Sequence, residues 1–71
     1  MTYTRVSSSN IAAVAYDATT STLAVRFHSG DEYHYFNVPE TEYQGLLRAS
    51  SVGGYMDRNI KKRGYNYAQV R

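Results

Sequence analysis

The residues best suited to binding chemistry lie near the C-terminal end of the chain, where basic and aromatic side chains alternate. They are Arg58, Lys61, Lys62 and Arg63, with Tyr55, Tyr65 and Tyr67 among them. Cations contact phosphates and exposed rings stack on bases, so this pattern predicts RNA or DNA binding that weakens steeply as salt rises. The alternative is a helix end whose cations complement the helix dipole, beside tyrosines that cover a small core.

Three residues outside this region extend the basic patch if they share its side of the molecule: Arg26, His28 and His34. The two histidines flank a predicted turn and can share an outward face near Arg26 and Glu32. Histidines beside a carboxylate can bind a metal or transfer protons. Neither has a recognised ligand spacing, so we interpret both as surface residues and predict no metal and no cofactor.

Two other function classes are open to this composition. Small ribonucleases use Tyr, His, Arg and Lys to position a 2′-hydroxyl and stabilise a phosphorane. No motif brings these residue types into one pocket, so we predict a non-enzymatic protein with no catalytic residues; RNA cleavage lost on His34→Ala would contradict this. The eight tyrosines also suit a protein-interaction module, such as a phage-type adaptor or inhibitor.

The size and composition of the chain limit its organisation. Seventy-one residues make one small domain, 1–71, that is marginally stable as a monomer and can gain stability as a homodimer. The chain has no cysteine, which excludes disulfides and thiolate metal sites. No apolar run approaches the roughly 20 residues of a membrane span, so we expect a cytoplasmic protein without a membrane partner.

Charge is distributed unevenly behind a net charge of +2. Residues 1–47 carry five acidic side chains and two arginines, whereas residues 48–71 carry six basic side chains and only Asp57 as an acid. This polarity favours an anionic partner at the C-terminal end.

The hydropathy pattern predicts an α+β fold: a three-stranded antiparallel meander from Ile11 to Val38, then two short helices packed on one face. Residues 1–10 are polar and are expected to form a loose N-terminal arm. Residues 22–28 alternate cleanly between apolar and other side chains, which indicates a half-buried strand. The tail, 65–70, alternates weakly and can add a short C-terminal strand at the edge.

The turn around Gly30 sets the hairpin register. A left-handed Gly30 bulge pairs Phe27 with Asp31, and therefore Val25 with Tyr33 and Arg26 with Glu32. A two-residue Ser29-Gly30 turn would move both Tyr33 and Tyr35 to the opposite face. The bulged turn is favoured because it pairs aliphatic with aromatic residues and opposite charges with each other.

Proline and glycine define the helical half. Pro39 starts a helix over about residues 40–49, in which Gly45 can allow close approach to the sheet. Ser50-Ser51 caps a second helix, whose apolar residues recur every four positions and which ends near Gly64. The predicted core consists of Ile11, Val14, Leu23, Val25, Phe27, Leu46, Leu47, Met56 and Ile60, with Tyr33 and Tyr35 joining from the sheet.

An ordered set of short motifs over about sixty residues resembles the KTSC domain family. The matching residues are Ser7-Ser8 before Ile11, Tyr16-Asp17, Leu23-x-Val25-x-Phe27-x-x-Gly30, Tyr33-x-Tyr35, Val38-Pro39, Ala49-x-Ser51-x-Gly53-x-Tyr55, Ile60-Lys61 and Tyr65. The central Tyr-x-Tyr is the hallmark of that family. Its members are stand-alone bacterial and phage proteins and C-terminal domains of some lysyl-tRNA synthetases. The resemblance implies a small α+β domain for which RNA binding has been suggested.

Overall fold

The computed structural model describes all 71 residues. Five strands form one antiparallel sheet, and the helices pack on one face of it. The strands follow the sheet in chain order: β1 (Thr4–Arg5), β2 (Ile11–Asp17), β3 (Thr22–Phe27), β4 (Glu32–Tyr35) and β5 (Tyr67–Gln69). The helices are α1 (Glu40–Arg48) and α2 (Val52–Tyr55), and α2 continues as a π-helical segment (Met56–Lys61). The predicted α+β class and meander are confirmed. No helix in this fold is both long enough and apolar enough to span a membrane.

The β3–β4 hairpin has the predicted bulged register. Gly30 adopts φ +97°, and its backbone N–H donates to the carbonyl of Phe27 at 3.0 Å. Leu23 pairs with Tyr35, Val25 with Tyr33 and Arg26 with Glu32. The left-handed conformation required at position 30 is easily adopted by glycine, which has no Cβ.

Both ends of the chain extend the sheet. The N-terminal residues are not the loose arm that their polarity predicts, because β1 pairs antiparallel with β2 through Thr4 and Arg5. The tail forms the predicted short strand, β5, which pairs antiparallel with β4. Backbone hydrogen bonding to an open sheet edge does not require apolar side chains, so a polar segment can still form a strand.

The second helix is wider than an α-helix over much of its length. The Ser51 hydroxyl caps it by accepting a hydrogen bond from the backbone N–H of Gly54 at 3.1 Å. From Met56 onwards the winding is π-helical. Apolar residues at every fourth position shift gradually around the axis of an α-helix, which has 3.6 residues per turn. The wider π-helical turn reduces that shift. Val52, Met56 and Ile60 are accordingly all buried.

The hydrophobic core lies between the sheet and the helices. Ten residues form it: Ile11, Val14, Leu23, Val25, Tyr35, Val38, Leu46, Val52, Met56 and Ile60. The prediction that Leu47 belongs to it is wrong, because Leu46 takes the central position on α1 and Leu47 is 37% exposed. Successive helical residues point about 100° apart, so Leu46 and Leu47 cannot both face the sheet. Phe27 and Tyr33 are partly buried and pack against the core edge.

Gly45 allows close approach of the two helices, and not of α1 and the sheet as predicted. A side-chain carbon at position 45 would overlap the hydroxyl of Tyr55, so the close approach is between α1 and α2. Tyr55 also donates a hydrogen bond to Glu42 Oε1 at 2.6 Å. The two helices are thus joined through one tyrosine.

Candidate functional site

A groove of about 630 Å³ opens at the edge of the core, where β3, β4, β5 and the end of the π-helical segment meet. We call it the aromatic groove. Its lining is formed by five rings and six polar side chains: Phe27, Tyr33, Tyr35, Tyr65 and Tyr67, with Ser9, Asn10, His28, Ser29, Asp31 and Lys61.

The rings of the groove contact one another as a connected cluster. Tyr33 and Tyr35 are stacked with centroids 6.4 Å apart, because they share one face of β4. The pairing of β4 with β5 places Tyr67 opposite Tyr35, with ring centroids 5.5 Å apart. Phe27 meets Tyr33 edge-on at 5.9 Å. Tyr35 is buried, whereas Tyr67 is 62% exposed, so the cluster runs from the core to the solvent.

The polar side chains of the groove include one lysine. Lys61 Nζ lies 5.4 Å from the Phe27 ring centroid, within cation–π range. His28 Nε2 lies 2.9 Å from the backbone carbonyl oxygen of Ser8, which holds the imidazole beside the N-terminal segment. Asp31 accepts a hydrogen bond from Ser29 Oγ at 3.2 Å. The groove therefore combines exposed aromatic surface with a cation and hydrogen-bonding groups.

Four of the ten residues predicted to bind nucleic acid line the groove: His28, Lys61, Tyr65 and Tyr67. The other six, Arg26, His34, Tyr55, Arg58, Lys62 and Arg63, do not. Lys62 Nζ lies 3.5 Å from Asp57 Oδ2, in an exposed ion pair. Tyr55 is held between the two helices, and its hydrogen bond to Glu42 raises the pKa of its phenol. Of the predicted basic run, Lys61 lines the groove, whereas Arg58, Lys62 and Arg63 do not.

A second cluster, the outer-face network, occupies the face of the sheet that carries no helix. It consists of Tyr3, Arg26, Glu32 and His34. Tyr3 donates a hydrogen bond to Glu32 Oε2, and Arg26 Nε donates to Glu32 Oε1 at 3.0 Å. The Arg26 guanidinium also lies 4.1 Å from the Tyr3 ring centroid. Beside the network, Ala13, Ala15 and Ala24 are buried.

The two histidines, which the sequence allowed to share an outward face, lie in different clusters. His34 Nε2 lies 3.5 Å from Glu32 Oε2, whereas His28 lines the aromatic groove. The turn after Phe27 breaks the strand alternation that would have placed His28 beside Arg26. The predicted common outward face is therefore wrong.

Hydrogen bonding and burial shift the pKa values of three side chains in these clusters. The hydrogen bond from Tyr3, reinforced by Arg26, lowers the pKa of the Glu32 carboxyl from its ordinary value, against the opposing effect of partial burial. Burial and the Glu32 contact raise the pKa of the Tyr3 phenol. Burial raises the pKa of the Tyr35 phenol. At neutral pH Glu32 is thus ionised and both phenols are protonated.

The sequence interpretation missed that Phe27, Tyr33 and Tyr35 contribute to a groove as well as to the core. It also left Tyr3 unassigned. A signal for the groove existed in the tail: if 65–70 pairs with the Tyr-x-Tyr strand, Tyr67 falls beside Tyr35. The sequence did not establish which strand the tail joins.

The structure places no three histidine, aspartate or glutamate side chains close enough together to hold a metal ion. The hydrogen-bonded and ion-paired contacts of Glu32 account for its charge without one.

Comparison with known proteins connects this geometry to a family. A crystal structure of a KTSC domain protein from Yersinia pestis superimposes with a TM-score of 0.93 at 30% identity, covering 99% of this chain and 97% of that one. An uncharacterized protein of Stutzerimonas stutzeri is 35% identical over 63 residues, which span 89% of both chains.

The chain also resembles part of a much larger enzyme. The lysine–tRNA ligase of Trichormus variabilis is 42% identical over 55 residues, which span 78% of this chain but only 10% of the ligase. The chain therefore spans about a tenth of the length of that relative. The KTSC domain family matches residues 7–69, which include the aromatic groove's rings and Lys61. This chain belongs to the KTSC domain family.

Proposed function

We propose that this protein is a non-enzymatic binding module that takes RNA or DNA in the aromatic groove. The observation that carries the proposal is the juxtaposition of the largely exposed Tyr67 ring, the Tyr33 ring and Lys61 around one groove. Bases stack on such rings, and a lysine contacts the adjoining phosphate. A related segment occurs within a lysine–tRNA ligase, an enzyme named for a nucleic acid, the tRNA, and this supports the proposal.

Binding rather than catalysis is proposed because the acidic and imidazole side chains already contact other groups of the protein. Glu32 and His34 belong to the outer-face network, where both Glu32 oxygens accept hydrogen bonds or ion pairs. In the groove, His28 contacts a backbone carbonyl oxygen and Tyr35 stays protonated at neutral pH. Asp31, the carboxylate that lines the groove, accepts a hydrogen bond from Ser29 Oγ at 3.2 Å. The acid and the imidazole of the groove are thus both held by contacts within the protein, which favours binding over general acid–base catalysis.

The matched pair Lys61→Gln and Lys62→Gln tests the proposal, since both remove one charge at adjacent positions. We expect Lys61→Gln to weaken binding of a fluorescent RNA or DNA oligonucleotide severalfold, and Lys62→Gln to leave it nearly unchanged. With one lysine in the groove, the slope of the logarithm of the affinity against the logarithm of salt concentration should be about −0.7 for a single strand, shallower than four phosphate contacts would give. Fluorescence anisotropy across a salt series measures both quantities.

Equal losses in the two variants would assign binding to diffuse charge and contradict a site in the groove. Absence of binding by the unmodified protein would leave the protein-interaction module as the better proposal. That alternative has one specific observation in its favour, since β5 is an exposed edge strand able to pair with a partner strand. The N–H of Gln69 faces the open edge of β5, because hydrogen bonds to β4 are made by the alternate residues on either side of it. Recovery of one protein from lysate after nuclease treatment, lost when Gln69 is replaced by Pro, would support it.

A further inference from the structure

We propose that the aromatic groove accepts an unpaired nucleotide, so that the protein selects single strands over duplexes. This inference rests on the proposed function and names the class of nucleic acid. It concerns the chemistry shared by single-stranded RNA and single-stranded DNA, namely a free base face followed by a phosphate.

The first argument is the accessibility of the rings. Tyr67 projects from the edge strand, and its ring is tilted by 36° from Tyr35 and by 48° from Tyr33. These tilted rings form the wall of a recess rather than a flat platform. A base inside a duplex has both faces covered by its neighbours and cannot enter such a recess. An unpaired base can.

The second argument is preorganisation. The Tyr33 hydroxyl donates a hydrogen bond to Gln69 Oε1 at 3.1 Å, which links the two strands that carry the cluster. Tyr35 is anchored in the core, and Phe27 holds Tyr33 from the other side. Tyr33 and Tyr35 are therefore held before the ligand arrives, and little of their conformational entropy remains to be lost on binding.

The third argument is size and charge. A groove of about 630 Å³ is within the range of small-molecule sites. That volume suits roughly one or two nucleotides rather than the width of a duplex. A single lysine lies in the groove, with Asn10, Ser29 and Asp31 as hydrogen-bonding groups. Attraction to many phosphates, which would favour the more highly charged duplex, is thus weak in this site.

The experiment compares three labelled probes of one sequence: single-stranded RNA, single-stranded DNA and the DNA duplex. We expect anisotropy titrations of the full chain to show at least about tenfold tighter binding to one or both single strands than to the duplex. Tyr67→Leu should weaken single-strand binding by roughly fivefold to a hundredfold, since stacking on one ring contributes about 1–3 kcal/mol. Tyr67→Phe keeps the ring and should retain the affinity of the unmodified protein.

Equal binding of single strands and duplex, or no effect of Tyr67→Leu, would overturn the inference while leaving general nucleic-acid binding in place. Failure of all three probes to bind would overturn this inference and the proposed function together. Position 67 is largely exposed, so Tyr67→Leu should keep its thermal unfolding midpoint near that of the unmodified protein. The two single-strand probes identify whether RNA, DNA or both supply the ligand.

Discussion

Glu32 connects the N-terminal segment to the middle of the sheet. Its carboxylate accepts hydrogen bonds from Tyr3 and Arg26 and lies beside His34. Its side chain is only 10% exposed, so these contacts replace water that the charge would otherwise bind. The network explains why the polar first residues are ordered, since β1 itself contributes only two paired residues.

The lowered pKa of Glu32 predicts a pH-dependent contribution to stability. A carboxyl whose pKa is lower when folded stabilises the protein above its unfolded pKa, near 4.5, and loses that effect as pH falls through the folded value. Glu32→Gln should therefore reduce the free energy of unfolding at neutral pH. The difference from the unmodified protein should shrink below about pH 4.5. Urea unfolding followed by circular dichroism at several pH values measures it.

Arg5→Gln is a suitable control, because Arg5 is an exposed charged residue of β1 and none of its contacts belongs to the outer-face network. Its effect on stability should be small and should change little with acidity. If the difference in unfolding free energy between Glu32→Gln and the unmodified protein stayed constant from neutral to acidic pH, the network would stabilise the fold through packing. The charge of the carboxylate would then not be the cause.

At the scale of elements, the contact between α1 and α2 depends on a residue without a side chain. The Tyr55 hydroxyl lies directly against Gly45 and donates its hydrogen bond to Glu42 from there. Helix propensity alone would favour alanine at this position by about 1 kcal/mol. The steric overlap opposes that gain, because Tyr55 is anchored and cannot move without losing its hydrogen bond.

We expect Gly45→Ala to destabilise the protein by about 1–3 kcal/mol despite the better helix propensity. Removing the obstructing hydroxyl in the double variant Gly45→Ala/Tyr55→Phe should recover part of the loss. Thermal and urea unfolding of the two single variants and the double variant give the coupling energy. Strict additivity of the single effects would show that alanine does not meet the tyrosine.

At the scale of the whole molecule, stability depends on few residues because the core is small. Only fifteen residues are buried, and Leu46 is the one buried residue of α1. The helix attaches to the rest of the core through that side chain and through Tyr43, which is partly buried and stacks on Tyr16 with ring centroids 5.3 Å apart. A domain of this size has a few kcal/mol of stability to lose.

The neighbouring leucines offer a direct test of this arrangement. Leu46→Ala should cost about 2–5 kcal/mol, enough to unfold much of the population at physiological temperature, because it leaves a cavity. Leu47→Ala should change stability by about 0.5 kcal/mol or less, because its side chain is partly solvated. Differential scanning calorimetry distinguishes them, and similar losses in both variants would mean that α1 packs with a different face inward.

Local features were predictable because their causes lie within a few residues. The Gly30 bulge followed from one glycine and from the charges of Arg26 and Glu32, and the structure has that register. Pro39 marked the start of α1 in the same way. The choice between Leu46 and Leu47 was less accessible, since both fit an apolar stripe and only the position of the sheet selects one.

The site required information of longer range. Lys61, Tyr65 and Tyr67 were predicted to bind, but as part of one basic run with Arg58, Lys62 and Arg63. The structure instead groups them with Phe27, Tyr33 and Tyr35. Of the four cations only Lys61 lines the groove, and pairing of β5 with β4 brings distant rings together.

The sequence by itself determined the family, the α+β class, the hairpin register and the residue types available for binding. Those properties depend on alternation, turn residues and ordered motifs that neighbouring positions specify. The tertiary structure decided which strand the tail joins and that Tyr3 reaches Glu32. It also decided that Tyr35 belongs to both the core and the groove wall, while Tyr33 lines the groove at the core edge. These outcomes depend on contacts between residues far apart in the chain, which form only when the sheet and helices pack around a shared core.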